Sequence, residues 1–120
     1  MKILFKLFTH VETGRIRGYL CATTITTIFY IARKEIGTLA TAQAVTRLLE
    51  LFEVAPVNRL VLKTAAEGSF SDFEDGVLYE SARRVGTEVI VTCNVSDFKE
   101  ADMPIYSPDD LNALVNLRDE

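Results

Sequence analysis

The chain has 120 residues, 48% of them hydrophobic and 25% charged, and carries a formal net charge of −4. That balance excludes a disordered chain and suits a single domain over residues 1–120 that can bury roughly two thirds of its unfolded surface. No apolar run approaches the ~20 residues needed to cross a bilayer, and the acidic excess is not the basic footprint usual for a free-standing nucleic-acid binder.

Lys2 and Lys6 interrupt the apolar opening residues and no small-residue cleavage site follows, so a cytoplasmic protein is expected. Cys21 and Cys93, without CxxC spacing, read as reduced core residues rather than a zinc or redox pair. Ile3, Leu4, Leu7, Phe8 and Val11 repeat at helical spacing and predict a helix over residues 2–13, stopped by Gly14. His10 falls in that helix with no evident partner and reads as a surface or packing residue. Residues 16–22 read as a strand. Thr23 or Thr24 then caps a helix with Ile25, Ile28, Phe29 and Ala32 on one face, ending at Gly37, although β-branched residues weaken its propensity.

Thr38 opens the next helix, with Leu39, Ala42, Val45, Leu48, Leu49 and Phe52 as its apolar stripe. Residues 52–57 read as a strand ending at a turn. Asn58 caps a helix through about Glu67, with Gly68 behind it. Ser71 to Glu74 forms a capping box, and Phe73, Val77, Leu78, Ala82 and Val85 share the face of a helix closed by Gly86. Residues 88–93 are apolar on both faces, as a central parallel strand should be. Residues 104–106 make a short last strand, and Ser107 with Pro108 starts the last helix. The alternation predicts an α/β fold with a mostly parallel sheet covered on both faces. Doubly wound domains usually open on a strand; this chain opens on a helix.

Ligands of open α/β sheets bind beyond the carboxyl ends of the strands. Asp72 and Asp75 sit three apart in the first turn of a helix, on one face. Carboxylates at that spacing suit Mg²⁺ or Mn²⁺, and equally suit the helix dipole with no ligand at all. Asn94 and Asp97 follow the most strand-like run, where ordinary turn chemistry is the plain alternative. The Thr23–Thr27 cluster offers hydroxyls to a phosphate, or a helix cap.

The run from Gly18 to Lys34, the Asp72-Phe73-Glu74-Asp75 segment, the Val91-Thr92-Cys93-Asn94-Val95-Ser96-Asp97-Phe98 segment and the ending Ile105-Tyr106-Ser107-Pro108 together resemble a bacterial subgroup of the PIN domains, the fold of the VapC-type toxin ribonucleases. Cys93 replaces the subgroup's usual arginine. The resemblance implies a three-layer fold with a mostly parallel sheet flanked by helices, and a site where acidic residues hold Mg²⁺ or Mn²⁺ and cut single-stranded RNA. It implies Asp75 and Asp97 as catalytic residues, Asp72, Asp75 and Asp97 as metal ligands, and Thr23, Thr27, Thr92 and Asn94 at the substrate. It also implies an antitoxin-like partner.

Two departures from the family pattern stand out. The family opens with a strand ending in D-T-N or D-T-S, central to its sheet, and no such segment occurs here. The family's second acid is replaced by Thr27, with Glu35 eight residues on and about 12 Å further along a helix. The expectation is a PIN-like protein with weak or lost catalysis, and a homodimer in which a second copy fills the gap. The alternatives are an active ribonuclease whose true start lies upstream, and a small receiver-like signalling domain.

Overall fold

The computed structural model describes residues 8–118. Residues 8–12 form helix α1, the described part of the helix expected over 2–13, whose first residues lie outside the described ones. Gly14, at φ 81°, turns the chain out of it. The order that follows is β1 (Tyr19–Cys21), α2 (Ala22–Ile36), α3 (Thr38–Leu51), β2 (Glu53–Ala55), α4 (Arg59–Glu67), α5 (Phe73–Val85), β3 (Ile90–Val91), a 3-10 turn (Val95–Phe98), β4 (Ile105–Tyr106) and α6 (Pro108–Arg118). This is the expected α/β alternation with parallel pairing.

The strands are shorter than their apolar runs. Residues 16–22 yield three strand residues, and residues 88–93 yield only Ile90 and Val91. Among the described residues they form two separate parallel sheets, β1 with β2 and β3 with β4. The run at 88–93 is therefore not buried on both faces: Ile90 is buried while Val91 is 39% exposed.

Helix α5 joins the two halves. Val77 packs with Cys21, Val61 and Ala65 beside the first sheet. Tyr79 and Ala82 pack with Ile90 and Phe98 beside the second, and Leu78 touches both clusters. Phe70 stacks on Tyr79 at 5.3 Å and meets Phe98 edge-on at 5.8 Å, which fastens the 3-10 turn to the helix.

Several helix starts differ from expectation. Helix α2 begins at Ala22 with Cys21 at its cap, so Thr23 is inside the first turn and its hydroxyl lies 3.3 Å from the Cys21 sulfur. Gly37, at φ 83°, ends α2 and caps α3 in one residue; its carbonyl accepts from the Thr41 amide and from the Thr41 hydroxyl at 2.7 Å. The buried residue of α3 is Thr41, while Leu39 of the expected stripe is 75% exposed. In α5 the cap is Asp72, one residue beyond the expected Ser71. Asn58, Gly86 and Ser107 cap as their sequence positions predict.

His10 is buried and has partners. Its Nε2 lies 3.1 Å from Asn112 Oδ1 in α6, and its Nδ1 lies 3.3 Å from the Arg15 guanidinium. Cys21 is buried as expected, whereas Cys93 is exposed.

Candidate functional site

Three chain segments meet beyond the ends of the short strands. Helix α2 leaves β1 and the Thr92–Asp97 turn leaves β3, and the N-terminus of α5 is linked to both, by the Thr27–Glu74 hydrogen bond and by the charge of Asp97 on Asp75. The interior of α5 is held against β1 by Ser81, fully buried, whose hydroxyl donates to the Leu78 carbonyl at 3.0 Å and lies 3.3 Å from the Cys21 sulfur. Burial pushes the Cys21 thiol up, but hydrogen bonds from Ser81, from the Thr23 side chain and from the Thr23 and Thr24 backbone outweigh it and hold the thiol below its ordinary range. Gly76 lets α5 approach its neighbours: a Cβ there would lie 3.3 Å from Phe70 and 3.6 Å from Ala65.

Asp75 is the centre of the acidic group. Its carboxyl is pushed above the usual carboxylate range, first by partial burial, then by the charges of Asp72, Asp97 and Glu74. Asp97 acts from the 3-10 turn anchored by buried Phe98, so the structure brings the two candidate catalytic acids within electrostatic reach of each other. Asp72 accepts the Asp75 amide at 3.1 Å, which orients its carboxylate as a cap. Glu74 accepts the Thr27 hydroxyl at 3.0 Å, tying α2 to α5 across 47 residues.

The remaining expected substrate residues make their contacts inside their own loops. Thr23 is drawn to Cys21. Thr92 accepts the Asn94 amide at 3.0 Å, and the Asn94 carbonyl accepts the Asp97 amide at 3.0 Å. These bonds shape the turn that presents Asp97. Glu74 is the member that sequence reasoning missed. Its position in the Ser71–Glu74 capping box accounted for it as a structural residue, and only the contact with Thr27 reveals it beside the acids.

The oxygen donors are of the type a hard divalent cation takes. Their arrangement is less complete: among the described residues, no group of three or more His, Cys, Asp and Glu side chains is placed to hold a metal ion. Two of the four carboxylates, Asp72 and Glu74, already accept protein hydrogen bonds. The described side chains therefore do not fit a closed cation cage, and what they form is an acidic group around Asp75, whose carboxyl, beyond its burial, feels the charge of Asp72 first, then those of Asp97 and Glu74.

The fold is α/β with short parallel strands, and a group of carboxylates surrounds Asp75 at the start of α5. The family model described as PIN domain matches residues 3–96, and the chain belongs to the PIN domain family. That family is nuclease-like and generally depends on divalent metal. The match ends one residue before Asp97, and the receiver-like alternative gains nothing from it. No curated protein and no solved structure gives a significant match. No helix among the described residues is long and apolar enough to cross a membrane.

Proposed function

We propose that this chain is a single-domain cytoplasmic PIN protein that associates with single-stranded RNA, and whose nuclease chemistry is weak or lost. The observation that carries this reading is the Thr27–Glu74 hydrogen bond. The family pattern has an acid where Thr27 stands, and here a neutral hydroxyl takes that place and donates to one oxygen of Glu74, so the position contributes no carboxylate. With Asp72 held as a helix cap, Asp75 and Asp97 are left as the main donors toward Mg²⁺ or Mn²⁺. Two carboxylates leave most of the coordination of such an ion to water.

The test is cleavage of a labelled single-stranded RNA with and without Mn²⁺. The expected result is retention of the RNA with little or no cleavage. Robust Mn²⁺-dependent cutting that disappears in Asp75→Asn would refute this reading and establish the second one, an active endoribonuclease of the toxin type. That second reading draws on one observation: the Asp75 carboxyl is raised first by burial and then by the charges of Asp72, Asp97 and Glu74, and a divalent cation would offset those charges.

The two short sheets also bear on assembly. Among the described residues, each pair leaves strand edges without a ladder partner, and such edges recruit further strands. A second copy of this chain is the occupant we favour, giving a homodimer, while the net charge of −4 favours a basic, antitoxin-like protein as any further partner.

A further inference from the structure

Helix α2 carries a stripe that the acidic site does not explain. Thr23, Thr27, Tyr30 and Lys34 fall at i, i+4, i+7 and i+11, which places them on one helix face. The stripe starts beside the acids, where Thr27 meets Glu74. It ends about 10 Å further along the axis at Lys34. Tyr30 is 55% exposed, and two cations converge on its ring: Lys34 Nζ at 4.4 Å from the centroid and the Arg33 guanidinium at 5.1 Å. Glu35 lies about 100° round the helix from Lys34, off this face.

The last-turn position of Arg33 and Lys34 is already favoured by the helix dipole. The dipole does not explain a largely exposed aromatic ring between them. Both cations lie over the ring, so a base stacks there as they swing off it to meet phosphates; an exposed aromatic ring with cations beside it is an arrangement that holds single-stranded nucleic acid. Its position answers the main objection to nucleic-acid binding, the net charge of −4, because the positive charge is local and adjoins the site.

We infer that Tyr30, with Arg33 and Lys34, is the landing site for single-stranded RNA, and that the α2 stripe leads the strand toward Asp75 and Asp97. The inference rests on the proposed RNA-associated function and adds where the strand is held.

The experiment measures binding of a short fluorescein-labelled single-stranded RNA to the full chain by anisotropy, over a series of salt concentrations. Tyr30→Ala is expected to weaken binding about five- to a hundredfold, the effect of losing one stacked base, with Tyr30→Phe retaining most of the affinity. Lys34→Ala and Arg33→Ala are each expected to lower the slope of log affinity against log salt by about 0.7. Arg47→Ala is the control, since Arg47 is exposed on α3 and pairs with Glu12 and Glu50; it should leave binding unchanged. Wild-type binding that Tyr30→Ala leaves intact overturns the landing site while the RNA-associated function stands. A folded wild-type chain that does not bind the RNA overturns both.

Discussion

Asp75 is the residue through which the acidic group can be measured without any ligand. Its carboxyl is raised by burial and by three neighbouring acids. A raised carboxyl binds its proton more readily in the folded than in the unfolded chain. Its protonated form therefore stabilises the fold below the ordinary carboxylate range, and that contribution is lost as pH rises through the raised value. Asp75→Asn should consequently raise Tm at neutral pH by about 1–4 °C, with the gain shrinking in acid, where the wild-type carboxyl is itself protonated. Thermal melts followed by circular dichroism at neutral and acid pH check this; an equal or lower Tm for the variant at neutral pH would show that burial and the neighbouring acids together do not disfavour the Asp75 carboxylate. Asp75 and Asp97 were both legible as candidates because each follows a recognisable element. His10 was not, since its acceptor Asn112 lies 102 positions away and nothing local announces it. Thr23 read as a cap or phosphate ligand because threonine at a helix start usually is one; in the fold the helix begins earlier and the hydroxyl turns to Cys21.

At the scale of elements, helices were readable and their first residues were not. Periodicity locates a helix to within a turn, but a cap is decided by which side chain reaches an amide. In α5 both Ser71 and Asp72 are capable caps by chemistry, and the structure selects Asp72, which accepts from the Asp75 amide. Asp72→Ala should cost about 1 kcal/mol of stability, while Ser71→Ala should cost close to nothing. Urea denaturation of the two variants separates them, and the reverse order would restore the capping box that the sequence predicts. Helix α2 shows the opposite conflict. Its threonines and isoleucines favour strand, yet it runs 15 residues because it packs along α3, to which it is joined by the single residue Gly37. No residue of α2 is buried. Its outward face is thereby left for Tyr30, Arg33 and Lys34.

For the whole molecule, the division into two parallel pairs is the feature with the largest consequence. Helix α5 spans both core clusters and has Asp72, Glu74 and Asp75 at its N-terminus, so those candidate acids and the junction of the two halves share one element. Strand pairs this short gain little from their own ladders, and open edges invite a second chain. Multi-angle light scattering at micromolar concentration is expected to give twice the chain mass of 13.4 kDa. A stable monomer under those conditions would remove the dimer.

The order of helices and strands, the parallel pairing and the family are determined by the sequence alone, which also nominates Asp75 and Asp97 as candidate acids. They depend on local periodicity, on turn residues and on motifs read within a few positions. The extent of the strands, the break between the sheets, the burial of His10 and the diversion of Glu74 to Thr27 were decided only by the tertiary structure. Each of these depends on which groups from distant segments arrive within hydrogen-bonding or packing distance, and no local pattern encodes that distance.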